Sequence, residues 1–382
     1  MMSLPLLPVT TVGSWPRPSS VAAALRAYRQ RRIDRAERDR VADDAVIEFL
    51  RLQETLGCDI VTDGELRRDN FYSFVADKLS GVRLMTLAQM LEVVEDKAGF
   101  EGLLQTLDVP AYSISSPVCT ARIERREPLA VDDLMFARRH TDLPIKITLP
   151  GPYLLTRGMF VPGVTRAYYA DKEALARDVV AVLRAELEEL RSAGEEFVQF
   201  DEPVLTEVAF APGRTRTFMC AALGARRDPA EELEFAVSLI NGVVAGVDGL
   251  RLGLHVCRGN WSRDETTLLT GGYQILRPYL DRLRITQLVL EYATDRAGAL
   301  VAFDEKEVGL GVVNPRTEEV ETPAQIRFAV EKALDLYPAE RVFLNPDCGF
   351  GTFANRPMNT REIASAKVAA MAAAAHDLRG RE

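Results

Sequence analysis

Short, β-branched apolar runs alternate with long amphipathic stretches along this chain, and each run stops at a polar or turn-forming residue. Val9–Val12 stops at Gly13-Ser14, Ile60–Thr62 at Asp63-Gly64-Glu65, Lys146–Leu149 at Pro150-Gly151-Pro152, and Phe197–Phe200 at Asp201-Glu202-Pro203. Leu250–Val256 leads into Cys257 and Gln287–Leu290 into Glu291. Val308–Val313 follows, and Val342–Leu344 leads into Asn345-Pro346-Asp347-Cys348-Gly349. The intervening stretches read as helices. Glu173–Gly194 has apolar residues at helical spacing and stops at a glycine, Glu231–Gly242 is similar, and Pro323–Leu336 follows Thr322, a residue type that caps helix starts. Parallel strands need crossovers, so strands that alternate with helices predict a parallel sheet. Seven or eight such units predict an α/β fold, a (β/α)8 TIM barrel. Tyr112–Val118 is one strand-like run too many. The region 71–133 breaks the alternation and reads as an insertion after the second strand, partly helical (Met85–Val94) and partly β. No Pro/Gly/Ser linker divides the chain, so residues 1–382 read as a single barrel domain.

The bulk numbers exclude several classes. Of 382 residues, 47% are hydrophobic, enough for a sizeable core. The net charge of −9 and the lack of a long basic run argue against nucleic acid or an anionic membrane as a partner. The amino terminus has no charged region followed by an apolar core, and Val368–Ala375 is too short to span a bilayer. The cytoplasm is therefore the expected location. Five widely spaced cysteines do not read as a disulfide framework.

In a barrel of this kind the functional residues sit at the carboxyl ends of the strands. Four residues at such ends, His255, Cys257, Glu291 and Cys348, offer an imidazole, two thiolates and a carboxylate, the donor types that hold zinc. The His-x-Cys spacing puts both side chains on one face of a strand. A lone buried cysteine or histidine is more often a core residue, so the joint pattern carries the reading. The four are spread over about a hundred residues and include a displaceable carboxylate, which favours a catalytic zinc over a closed structural one. A thiolate-rich zinc suits the binding and deprotonation of a further thiol. Glu65 and Asp201, the candidate catalytic residues, could recognise a substrate ammonium, with Glu202 beside them. Gly13 and Ser14 could offer N–H groups and a hydroxyl to a substrate carboxylate. The plainer reading, that strand-end acids cap the following helices, weighs most for Asp63 and Glu202. Together these residues suit an α-amino acid bearing a thiol.

At this point the chain resembles the catalytic barrel of the cobalamin-independent methionine synthase family. The resemblance rests on Val12-Gly13-Ser14-Trp15-Pro16, Asp63-Gly64-Glu65, Leu149-Pro150-Gly151-Pro152, Gln199-Phe200-Asp201-Glu202-Pro203, His255-Val256-Cys257, Glu291, Gly309-Leu310-Gly311-Val312-Val313 and Asn345-Pro346-Asp347-Cys348-Gly349. It implies a TIM barrel with zinc on His255, Cys257, Glu291 and Cys348. It also implies homocysteine held by Ser14, Glu65 and Asp201 with its sulfur on the zinc, and methyl transfer to give methionine. The donor would be 5-methyltetrahydrofolate or a methylated corrinoid, free or on a corrinoid protein. Full-length members of the family carry a further amino-terminal domain that helps bind the folate polyglutamate tail, whereas this chain has the length of the catalytic half. The family's pterin-stacking tryptophan and proton-transfer histidine are also absent from Gly151–Arg157 and Gly311–Thr317. An alternative keeps the zinc and changes the thiol, as in epoxyalkane:coenzyme M transferases, with Arg17 or Arg67-Arg68 facing a sulfonate. A third reading is a zinc-stabilised binding module without turnover. If the roles divide cleanly, Asp201→Asn should weaken homocysteine binding and leave the metal in place.

Overall fold

Six strands form one parallel sheet in sequential order. A computed structural model describes residues 4–94, 97, 115–210, 228–260 and 262–380. The first two strands stand apart: β1 (Leu79–Thr86) and β2 (Ser115–Arg125) pair antiparallel. The parallel sheet then runs β3 (Ile147–Pro150), β4 (Phe197–Asp201), β5 (Arg251–Val256), β6 (Gln287–Leu290), β7 (Glu307–Val313) and β8 (Val342–Pro346). Nearly every residue of these six strands is buried, as expected where helices cover the outer face and side chains fill the interior.

The two earliest apolar runs complete the ring without becoming full strands. Val9 bridges Leu344 of β8 in parallel, and Val61 bridges Ile145 just ahead of β3. Between them, the Asp59 and Ile60 N–H groups donate to the Val9 carbonyl. Backbone hydrogen bonds therefore run from β8 through residues 8–10 and 59–62 to β3, and the fold is the expected TIM-barrel type.

The supernumerary run is explained by the β1–β2 pair. Its strand starts at Ser115 and belongs to that pair, outside the parallel sheet, and residues 112–114 lie outside the described residues. A helix at Leu87–Val93 follows β1, close to the expected Met85–Val94. It starts with a capping box in which Thr86 and Gln89 satisfy each other's backbone N–H. Helices also occupy Lys172–Ser192, Pro229–Val244 and Pro323–Leu334, near the boundaries read from periodicity. Thr322 caps the last of these, in a capping box with Gln325. Among the described residues, no helix is long and apolar enough to cross a membrane.

Candidate metal centre

Strand register decides which residues meet. Asp201, the last residue of β4, is the direct neighbour of His255 on β5. Cys257 follows β5, two residues on from His255 and on the same face. Cys348 lies two residues past the end of β8. One donor atom from each of His255, Cys257 and Cys348 falls within 4.8 Å of the others, and all three residues are buried.

Electrostatics ties the three together. A hydrogen bond between the two sulfurs holds Cys257 below the usual thiol range against the pull of burial, while the same bond and burial raise Cys348 well above it. Burial pulls the His255 imidazole down, but the Cys257 charge, the Asp201 hydrogen bond and the charges of Asp201 and Glu291 push it up to about 9. His255 Nδ1 lies 2.9 Å from Asp201 Oδ1, which also accepts from Gln199 Nε2 at 3.1 Å. That contact orients the ring, and Nε2, the nitrogen that would serve a metal, lies 3.4 Å from the Asp347 carbonyl oxygen. A soft, nitrogen-and-sulfur donor set in a buried, electron-rich pocket fits zinc.

The same cleft is lined by Ser14, Glu65, Phe71, Asp201 and Asn260 together with His255, Cys257 and Cys348. Glu65 is fully buried, and its Oε1 accepts from Thr148 Oγ1 at 2.9 Å. Its other oxygen has no hydrogen-bond partner. Burial, reinforced by Asp201 and Asp63 and opposed by Arg68 and Arg17, pushes Glu65 up to about 7. A carboxylate left short of a partner at the edge of a cleft suits an incoming ammonium. Ser14 gives its carbonyl to the N–H groups of Phe350 and Gly351. A Cβ at position 349 would collide with its hydroxyl, which explains the glycine after Cys348.

Four sequence-derived roles look different in the fold. Glu202 does not line the cleft; its two oxygens accept from the N–H groups of Tyr153 and Leu154 at 2.7 and 3.0 Å. It caps the helix Pro152–Met159, so the substrate role read for it is corrected to the plainer one. Gly13 acts by lacking a side chain, since a Cβ there would lie 2.5 Å from Glu65 Oε1. Asp201 is engaged with His255, its Oδ1 lying 2.9 Å from Nδ1, and so bears on the orientation of that ring. Glu291 stands outside the three-residue group. Its carboxylate faces Arg316 at 3.5 Å, Arg258 at 3.7 Å and Arg296 at 3.8 Å, although its charge is felt by all three candidate ligands.

The candidate sulfonate-binding cations are occupied elsewhere. Arg17 donates to the backbone carbonyls of Arg68, Gly351 and Glu65 at 2.5–2.9 Å. Arg67 pairs with Asp43 and Asp133, and Arg68 holds Thr148 and faces Asp133. Other residues at the site were missed. Asn260, in the loop after Cys257, donates to the Gly349 carbonyl and to Thr352 Oγ1, both at 2.7 Å, and nothing in its sequence context marks it. Lys146 lies in the barrel interior with its ammonium on the Thr11 carbonyl at 2.6 Å. Burial, against the pull of Asp201, Cys58 and Glu65, lowers it to about 7. A lysine leading an apolar run was the available signal.

Residues 7–377 match the family described as cobalamin-independent synthase, catalytic domain. The chain belongs to that family. The methionine synthase of Sulfurisphaera tokodaii is 28% identical over 353 residues, covering 91% of this chain and 87% of the relative. That of Pyrococcus furiosus is 29% identical over 355 residues, covering 91% and 87%. A B12-independent methionine synthase from Shewanella sp. W3-18-1, solved with selenomethionine, superposes with a TM-score of 0.72 at 22% identity over 98% of both chains, a likeness of fold. A family described as cobalamin-independent gives the corrinoid donor no support, and that option is set aside.

Proposed function

We propose that this chain is a methyltransferase that moves a methyl group from 5-methyltetrahydrofolate to the thiol of homocysteine, giving methionine, within one barrel spanning residues 1–382 with 71–133 as an insertion. The observation that carries the reading is one buried cleft shared by a His255/Cys257/Cys348 donor set and the amino-acid-binding candidates Ser14, Glu65 and Asp201. His255, Cys257 and Cys348 would hold zinc, with Glu291 as the fourth candidate, and the ion would supply a lowered pKa for the substrate thiol. Glu65 receives the substrate ammonium, and Ser14 faces its carboxylate. Asp201 fixes the His255 ring and adds negative charge beside the ammonium. The buried walls exclude water from the reacting sulfur. No unengaged guanidinium from Arg17, Arg67 or Arg68 reaches the cleft, which weighs against a sulfonate-bearing thiol and for an amino acid.

The test is zinc analysis of the purified protein with methionine formation from homocysteine, offering methyltetrahydrofolate and methylcobalamin in parallel. We expect about one zinc per chain and methionine from the folate donor, with both lost in Cys257→Ser and Cys348→Ser. Failure to form methionine from methyltetrahydrofolate, or full activity in metal-free protein, would overturn the reading.

A further inference from the structure

Glu65 and Asp201 come from different strand ends, yet the barrel interior holds both in the same way. Gln199 sits two residues ahead of Asp201 on β4, on the same face of the strand, and Thr148 of β3 is its direct register partner. Both side chains are buried. Thr148 Oγ1 donates to Glu65 Oε1 at 2.9 Å, and Gln199 Nε2 donates to Asp201 Oδ1 at 3.1 Å. One tier of two neighbouring strands therefore supplies one hydrogen bond to each acid of the substrate cleft.

The direction of both bonds is forced. Arg68 Nη1 donates to the Thr148 carbonyl at 2.9 Å and to Thr148 Oγ1 at 3.2 Å. A guanidinium can only donate, so the hydroxyl accepts there and its own proton is left for Glu65. Gln199 Nε2 spends its second proton on the Val12 carbonyl at 3.1 Å. Gly13 leaves the room for the Thr148–Glu65 contact, because a Cβ there would lie 2.9 Å from Thr148 Cγ2. The pairing stops at one oxygen per acid. Glu65 Oε2 has no hydrogen-bond partner, and the His255 contact falls on the same Asp201 Oδ1 that Gln199 holds. Simple satisfaction of buried polar groups accounts for the hydroxyl and the amide, but it would also have covered Glu65 Oε2, whose orphan state costs stability. A primary ammonium brings three N–H donors, enough to serve both remaining oxygens.

We propose that Thr148 and Gln199 are positioning residues for the amino end of the substrate: each ties down one oxygen of Glu65 or Asp201 and leaves the other for a primary ammonium, which makes the site selective for a thiol that carries a free amine. The inference rests on the homocysteine reading above and adds the residues that set its selectivity. A carboxylate free to swing would meet the ammonium only after losing that freedom, so the anchored pair binds it more tightly.

The experiment titrates cobalt-substituted protein with homocysteine and with 4-mercaptobutyrate, the same thiol acid without the amine, and reads the visible spectrum. Calorimetry on the zinc protein gives the same two affinities. The parent should prefer homocysteine by at least about tenfold. Thr148→Val keeps the shape and removes the donor. It should weaken homocysteine about tenfold while moving 4-mercaptobutyrate by less than about twofold, and Thr148→Ser should restore the preference. Gln199→Met should show the same selective loss. Thr148→Ala gives the same comparison with a smaller side chain, should the valine variant fail to fold. Equal weakening of both thiols would mark Thr148 and Gln199 as packing residues and overturn the inference. So would an undiminished preference in the folded variants, or a parent that binds the two thiols alike. A parent whose spectrum responds to neither thiol would defeat the homocysteine reading itself, a result distinct from all of these.

Discussion

Glu65 combines a left-handed backbone with a buried carboxylate. Its φ is 53°, a conformation that costs energy for any residue with a Cβ. The backbone is pinned there: its carbonyl accepts from Arg17 at 2.9 Å and its N–H donates to Asp63 at 3.0 Å. The strain aims the side chain into the cleft, where burial holds its pKa near 7. Below that value the carboxyl is neutral and a poor partner for an ammonium. Homocysteine kcat/KM should therefore fall about tenfold per pH unit below 7, and Glu65→Gln should be slower overall and lack this acidic limb. An identical limb in the variant would assign it to another group. The linkage has a matching sign. A raised carboxyl value gives stability that is present below the ordinary carboxylate range and lost as pH rises through 7, so Glu65→Gln should melt higher than the parent at pH 8. Asp201 acts at the same scale through His255. Asp201→Asn replaces the charged acceptor at Nδ1 with a neutral amide oxygen, and metal affinity should drop about 10–100-fold in a chelator competition. Undiminished affinity would restore the separation of roles first read from the sequence.

At the scale of elements, the helix Pro152–Met159 shows how the barrel supports its own rim. All eight of its residues are buried, and its N-cap, Gly151, has no side chain with which to cap it. The cap comes from the next strand end, where Glu202 covers two N–H groups that the helix leaves open. Gly151 is required because a Cβ there would run into that same carboxylate. Glu202→Ala leaves two buried donors unsatisfied and should destabilise the protein by about 1–3 kcal/mol. The expected reading is a lower urea midpoint at unchanged slope, with metal content intact. Loss of metal in this variant would show that the cap also governs the centre. Glu202 and Asp201 are sequence neighbours with opposite fates, because successive strand residues point to opposite faces.

For the whole molecule, the seam between the first and last barrel segments is the point of vulnerability. It is closed by the bridge of Val9 to Leu344 and by the carboxyl-terminal helix Arg361–Arg379. Arg379 donates to the carbonyls of Leu6 and Leu7 and pairs with Asp59 at 2.5 Å. Asp59 in turn accepts from the Val9 N–H at 2.8 Å. Arg379→Ala should cost about 2 kcal/mol and expose the N–H groups of Val9 and Thr10 to hydrogen exchange before those of β5 and β6. Uniform exchange across the sheet would refute a weak seam. The alternation of β-branched runs and amphipathic helices was enough to read the barrel, since periodicity and turn residues are local properties. The chemical types at His255, Cys257 and Cys348 were legible as well, because an imidazole and two thiols recurring at strand ends point to a metal jointly, though none does alone. The sequence could not separate Glu202 as a cap from Asp201 as a site residue, nor show Arg316 beside Glu291, because those facts depend on register and on contacts between distant segments. By itself, then, the sequence determined the repeating fold and the kinds of donor available. Only the tertiary structure decided which side chains share the cleft, since a pairing between strands sets positions that no single segment contains.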